Sequence, residues 1–164
     1  MSDNMAPGIT DQHRWLLQFL GDWQMTGGCT APPGGEPMTF EGRETVRALG
    51  EAWILCEGVG PGPAPGSEMR SLMTLGYDPA RGCFLGTFAA SMMTHLWLYQ
   101  GQLDADRRVL TLDTEGPAFG AGGGTARFQD IIALEADGTR RLTSRMQQPD
   151  GSWQQVMHGV YRRI

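Results

Sequence analysis

The stretch EMRSLMTLGYDPARGCFLGTFAAS, Glu68 to Ser91, decides the fold. Two runs rich in Leu, Met, Thr and Phe, 68–77 and 83–91, flank the segment Tyr77-Asp78-Pro79-Ala80-Arg81-Gly82. Each central residue of that segment has turn chemistry. Proline presets φ, an aspartate side chain can bond backbone amides just ahead of it, and glycine accepts positive φ. A link this short joins its strands antiparallel, so the stretch reads as a β-hairpin.

The same grammar runs outward in both directions. Short runs of Thr, Val, Leu and aromatic residues occupy about 22–30, 38–48, 52–59, 68–77, 83–91, 94–103, 107–115, 125–135, 140–148 and 152–163. Asp104-Ala105-Asp106, Ala136-Asp137-Gly138 and Pro149-Asp150-Gly151 supply further hairpin turns. Three links are longer: Ala31–Pro37, Gly60–Ser67 and Gly116–Gly124; the last two, rich in Gly and Pro, are expected to form mobile loops at a rim. Upstream, Thr10 or Asp11 caps a short helix reaching about Leu20, and Gly21 stops it. Trp15, Leu16, Phe19 and Leu20 make its apolar stripe.

Sequential hairpins give a meander. Ten strands in one sheet present a face that a ten-residue helix cannot cover, and closure also removes the exposed edges. The expectation is an all-β, ten-stranded antiparallel up-and-down barrel with the helix as a plug, a two-sheet sandwich being the alternative. Residues 1–9 are expected to be a flexible N-terminus and 10–164 a single barrel domain.

Composition bounds the partners. The 164 residues are 40% hydrophobic and 19% charged, with 24 Gly and 10 Pro, which suits one well-cored domain of short strands. The net charge of −5 argues against nucleic acid. All thirteen basic residues are Arg, and none is clustered beyond pairs beside turns. No run approaches the ~20 apolar residues of a membrane span, and Met1–Gly8 does not read as a signal peptide, so a cytoplasmic address is expected. Cys29, Cys56 and Cys83 fall in three separate runs and are expected to be reduced thiols.

Catalytic motifs are scarce. Three His with no His-x-His or His-x-x-x-His spacing argue against a metal site. Ser91 and Ser144 lack a Gly-x-Ser-x-Gly context, and Gly120–Gly124 opens no helix that could hold a phosphate. The run 94–103 is more informative. Alternation puts His95, Trp97, Tyr99 and Gly101 on one face, and Thr94, Leu96, Leu98 and Gln100 on the other. Both faces are largely apolar, so either could point inward. The first would give a cavity an imidazole, an indole and a phenol in a row, a lining for an apolar or aromatic ligand with a polar end. Glu57 stands among Trp53, Leu55 and Val59, and Glu44 among Phe40, Gly42 and Val46. Either carboxylate, if buried, would have a raised pKa suited to acid–base work, and Arg127 could neutralise either from inside. Met73 adds a flexible thioether to a strand face shared with Leu75 and Tyr77.

Leu20-Gly21-Asp22-Trp23, Leu75-Gly76-Tyr77-Asp78, Ser91-Met92-Met93-Thr94-His95-Leu96-Trp97, Thr114-Glu115-Gly116-Pro117 and Val160-Tyr161-Arg162-Arg163 together resemble the DUF1579 family over nearly the whole chain. These are bacterial proteins of unknown function, and the resemblance implies a lipocalin-like barrel without an activity. More distantly, the helix followed by Gly-x-Trp is similar to nitrobindins, ten-stranded haem-binding barrels whose ligating His precedes a Tyr by three residues in the last strand. His158 and Tyr161 stand at that spacing, although Gly21-Asp22-Trp23-Gln24-Met25-Thr26-Gly27 departs from the nitrobindin pattern Gly-x-Trp-x-Gly-x-Gly.

Three functions follow as expectations. The first is a small-molecule binding module with a ligand near His95, Trp97, Tyr99, Glu57, Met73 and Arg127, and with no cofactor, metal, nucleic acid or membrane as partner. The second is an enzyme using that cavity, with His95 or Glu57 moving a proton. The third is a haem-binding barrel with His158 as axial ligand, and a purely structural partner stands beside these three.

Overall fold

The computed structural model describes residues 8–30, 36–120 and 122–164. Helix α1 (Asp11–Leu16) runs into a 3₁₀ turn (Leu17–Phe19). Ten strands follow: β1 (Gly21–Cys29), β2 (Met38–Leu49), β3 (Trp53–Pro61), β4 (Glu68–Asp78), β5 (Cys83–Ala90), β6 (Trp97–Leu103), β7 (Val109–Pro117), β8 (Thr125–Leu134), β9 (Arg140–Gln147) and β10 (Trp153–Arg163). Each strand pairs antiparallel with its neighbours in sequence, and β1 pairs with β10 from Trp23↔Arg163 to Cys29↔Met157. The sheet is therefore closed and has no edge, which excludes the sandwich. Most of the segment 1–9 lies outside the described residues, as does most of the link Ala31–Pro37.

The decisive turn forms by the chemistry its residues carry. Asp78 Oδ1 accepts the amides of Ala80 and Arg81 at 2.9 and 3.3 Å, and Gly82 sits at φ +64°. Arg107 is the only non-glycine residue at positive φ among those described, at 56°. The plug helix holds it there: Trp15 Nε1 donates to the Arg107 carbonyl at 2.7 Å, and the Arg107 guanidinium donates to the Asp11 carbonyl at 3.0 Å.

The helix seals the end of the barrel that carries the β2–β3, β4–β5, β6–β7 and β8–β9 turns. Trp15 packs edge-on against Phe19 and Phe84, with centroids 5.1 and 6.0 Å apart. His13 is buried and structural. Its Nδ1 accepts the Thr10 amide at 2.9 Å, which leaves Nε2 to donate to the Tyr77 carbonyl at 2.9 Å. The longer links β1–β2, β3–β4 and β7–β8 all lie at the opposite end, together with the segment Ser91–Leu96.

Candidate functional site: the barrel interior

Register fixes which side chains point inward, because alternation carries one face around the whole closed sheet. From Trp23, which is fully buried, cross-strand partners lead through Glu44, Gly58, Ser71 and Ala90 around the wall. The inward set of β6 is Trp97, Tyr99 and Gly101; Leu96 and Leu98 point out and are exposed. The first of the two faces read from the sequence is thus the inner one.

Near the plug the interior is close-packed. Phe19, Trp23, Ile54, Leu75, Phe84, Leu110 and Leu112 are all at or below 1% exposure. A buried ion pair, Arg140 with Glu44, is set into this layer. The Arg140 guanidinium lies 3.9 Å from the Tyr161 ring centroid and 4.7 Å from that of Trp23. This arrangement lets a planar cation share aromatic faces while its charge is matched. Cys56 lies beside the pair, and burial and the nearby Glu44 charge push its thiol well above the usual range. Glu44 is neutralised by Arg140, not by Arg127.

Halfway along the axis three polar side chains meet. Tyr99 from β6 donates its hydroxyl to Asp130 Oδ2 at 2.5 Å, and Ser144 from β9 donates to Asp130 Oδ1 at 2.5 Å. Burial raises the Asp130 pKa above the ordinary carboxylate value, and the two hydroxyl donors partly offset that rise. Burial and the adjacent carboxylate also raise the Tyr99 phenol. From the sequence neither Asp130 nor Arg140 is placed in the lumen, and Ser144 is considered only as a hydrolase nucleophile. The signal was there: Ala126, Phe128, Asp130 and Ile132 alternate along β8 in the same way as the faces that raised Glu57 and Glu44.

Toward the long links the wall becomes two-sided. Trp97, Phe128 and Met146 cover β6, β8 and β9, with Trp97 and Phe128 edge-on at 5.0 Å and Phe119 capping Phe128 at 5.3 Å. The Trp97 indole lies directly over Gly116, where a Cβ would collide with the ring. Across β1 to β4 the inward positions mix small residues, Gly27, Gly42, Gly58, Gly60 and Ser71, with the larger Met25, Phe40, Met69 and Met73. The inward side chains of Met25, Ser71, Met73, Phe88 and Asp130 are only partly buried although the closed wall surrounds them. Their free surface faces the lumen. Thr114 Oγ1, buried and inward, has no hydrogen-bond partner among the described residues.

The six expected site residues divide. Trp97, Tyr99 and Met73 face the lumen. His95 precedes β6 in the Ser91–Leu96 link and sits at the rim, edge-on to Trp97 at 4.7 Å, with Nε2 3.0 Å from the Glu115 carbonyl. Glu57 and Arg127 do not join them. Glu57 is on the outer face, paired with Arg47 at 3.0 Å, because its strand buries Ile54 and Cys56 instead. Arg127 pairs across the sheet with Glu115 and is exposed, since β8 buries Phe128. The acid–base reading of Glu57 falls with its placement outside the lumen.

The haem alternative meets the same correction. His158 is exposed on the outer face, opposite Gly28, while its neighbour Gly159 faces in. An imidazole on the outside cannot ligate a haem in the lumen, so the residues present do not fit that group. His158 borders instead an open groove of about 590 Å³ shared with Thr26, Thr39, Glu41 and Val160.

The fold and its interior define a closed ten-stranded up-and-down β-barrel, plugged at one end and lined with mixed aromatic and polar groups at the other. The chain matches the family described as "Protein of unknown function (DUF1579)" over residues 9–163, and it belongs to that family. Among solved structures it is similar to Rv2717c from M. tuberculosis, with a TM-score of 0.62 and 17% identity over 95% of this chain and 99% of that one. It is also similar to a redesigned β-barrel, with a TM-score of 0.48 and 12% identity over 92% of this chain and 96% of that one. At this identity the Rv2717c likeness establishes the fold alone. No curated protein matches the sequence. No helix among the described residues is long and apolar enough to cross a membrane.

Proposed function

We propose that the open half of the barrel binds one small molecule with an apolar or aromatic body. One observation carries the reading: Met25, Ser71, Met73, Phe88 and Asp130 point into a closed barrel and still keep free surface. Protein interiors pack to near-crystalline density, so unfilled space beside side chains of this size is space a ligand can take. Geometry supplies the cause. Barrel diameter grows with strand number, about eight strands are already filled by side chains, and here the ten-stranded wall carries Gly27, Gly42, Gly58, Gly60 and Ser71 at inward positions. Met25, Met73 and Phe88 offer apolar surface to the ligand body, and Ser71 and Asp130 supply the few polar contacts that fix its orientation.

The test uses N-phenyl-1-naphthylamine, a neutral dye whose emission rises in apolar surroundings. The expected result is saturable one-to-one binding with a dissociation constant on the order of micromolar. Ser71→Phe, which fills the space beside Gly58, should weaken it by about tenfold or more without changing the circular dichroism. Absence of saturable binding, or binding indifferent to Ser71→Phe, would overturn the reading.

A further inference from the structure

Asp130 has no counter-charge. Five ion pairs occur among the described residues, and none includes it. All thirteen Arg lie in the described residues; Arg140, the inward one of β9, is already matched by Glu44. His13 is locked in the plug, His95 bonds a carbonyl at the rim, and His158 is outside. The groups that face Asp130 are the hydroxyls of Tyr99 and Ser144, with Leu112 beside it on β7. The two hydroxyl contacts, one to each oxygen, leave the carboxyl without a cationic partner. A charge held away from water and unmatched is costly, and the two hydroxyls leave further lone pairs free.

From this unmatched carboxylate, and resting on the binding reading above, we infer that the ligand's polar end is a basic nitrogen, a protonated amine or amidine on an apolar or aromatic body. Asp130 accepts from that nitrogen and supplies its counter-charge, while Met25, Met73 and Phe88 hold the body. The lumen side of Asp130 is open, so the nitrogen can reach it without displacing Tyr99 or Ser144.

Three probes of one shape separate the possibilities in the full-length protein at neutral pH: 1-naphthylmethylamine, 1-naphthylmethanol and 1-naphthoate. The amine should displace the neutral dye and bind about tenfold or more tightly than the alcohol, with the carboxylate weakest. Asp130→Asn should bring amine and alcohol to within about twofold of each other, while Ser144→Ala, which keeps the carboxylate, should retain the preference. Should Asp130→Asn fail to fold, the amine-to-alcohol ratio in the wild type and in Ser144→Ala decides alone. Alcohol binding as tight as amine binding overturns the basic-nitrogen inference and leaves the cavity standing. If no probe binds and the dye does not either, both fall together.

Discussion

The two ends of one barrel are built from the same ten strands and reach opposite results. Toward the plug, each large inward residue meets another across the axis, and Trp23, Ile54, Leu75 and Leu110 are dry. Toward the long links, Trp97, Phe128 and Met146 are buried, while Met25, Ser71, Met73 and Phe88 keep free surface. Packing in this fold is therefore a matter of which strands carry size at a given height, not of strand number alone.

The largest expected difference between the ends is energetic. Trp23→Ala should cost about 3–5 kcal/mol in urea unfolding, because it empties a dry site and strips one aromatic face from Arg140. Met73→Ala, at a half-buried lumen position, should cost only about 1 kcal/mol, since part of its surface is already free. Equal costs would erase the distinction between the ends.

The ion pair sharpens the contrast. Arg140→Met strands the Glu44 carboxylate among apolar neighbours and should cost about 3–5 kcal/mol, and adding Glu44→Leu should return most of it. Tyr99→Phe, which removes one of two donors to Asp130, should cost about 1–3 kcal/mol.

Smaller still is a pH effect at mid-barrel. The Asp130 pKa is raised on folding, so the native state holds this proton more tightly than the unfolded chain does. Its contribution is fully present below the ordinary Asp value of 3.8 and is lost as pH rises through the higher folded value. Relative to Asp130→Asn, the wild type should lose stability as pH rises above about 4, read as a falling difference in urea midpoint. A difference that stays flat or grows with pH would contradict the raised value.

The fold was legible because turn chemistry is local. The hairpin at Asp78–Gly82, the plug stripe and all ten strands stand within a few residues of where the sequence placed them. The site was legible only in part, because strand parity is not local. Trp53, Leu55, Glu57 and Val59 form the more apolar-looking face of β3, yet it is the outer one, and the Trp53 ring there lies over Gly76. The inner face, Ile54, Cys56, Gly58 and Gly60, is small because it borders the lumen. Hydrophobicity alone points the wrong way wherever a cavity calls for glycine. On β8 the larger Phe128 and Ile132 mark the true inside, and Asp130 follows from them.

An open interior beside Ser71, occupied by the dye, is what a single thiol on the lumen wall tests most directly. Ser71→Cys in a Cys29→Ala background puts a single reporter thiol on the lumen wall, while Cys56 and Cys83 remain buried as internal controls. The native protein treated with N-phenylmaleimide should lose one thiol readily and keep two, and saturating N-phenyl-1-naphthylamine should slow that reaction by about tenfold or more. A reporter thiol as unreactive as Cys56, or one whose labelling the dye leaves unchanged, would contradict an interior that is open and holds the dye.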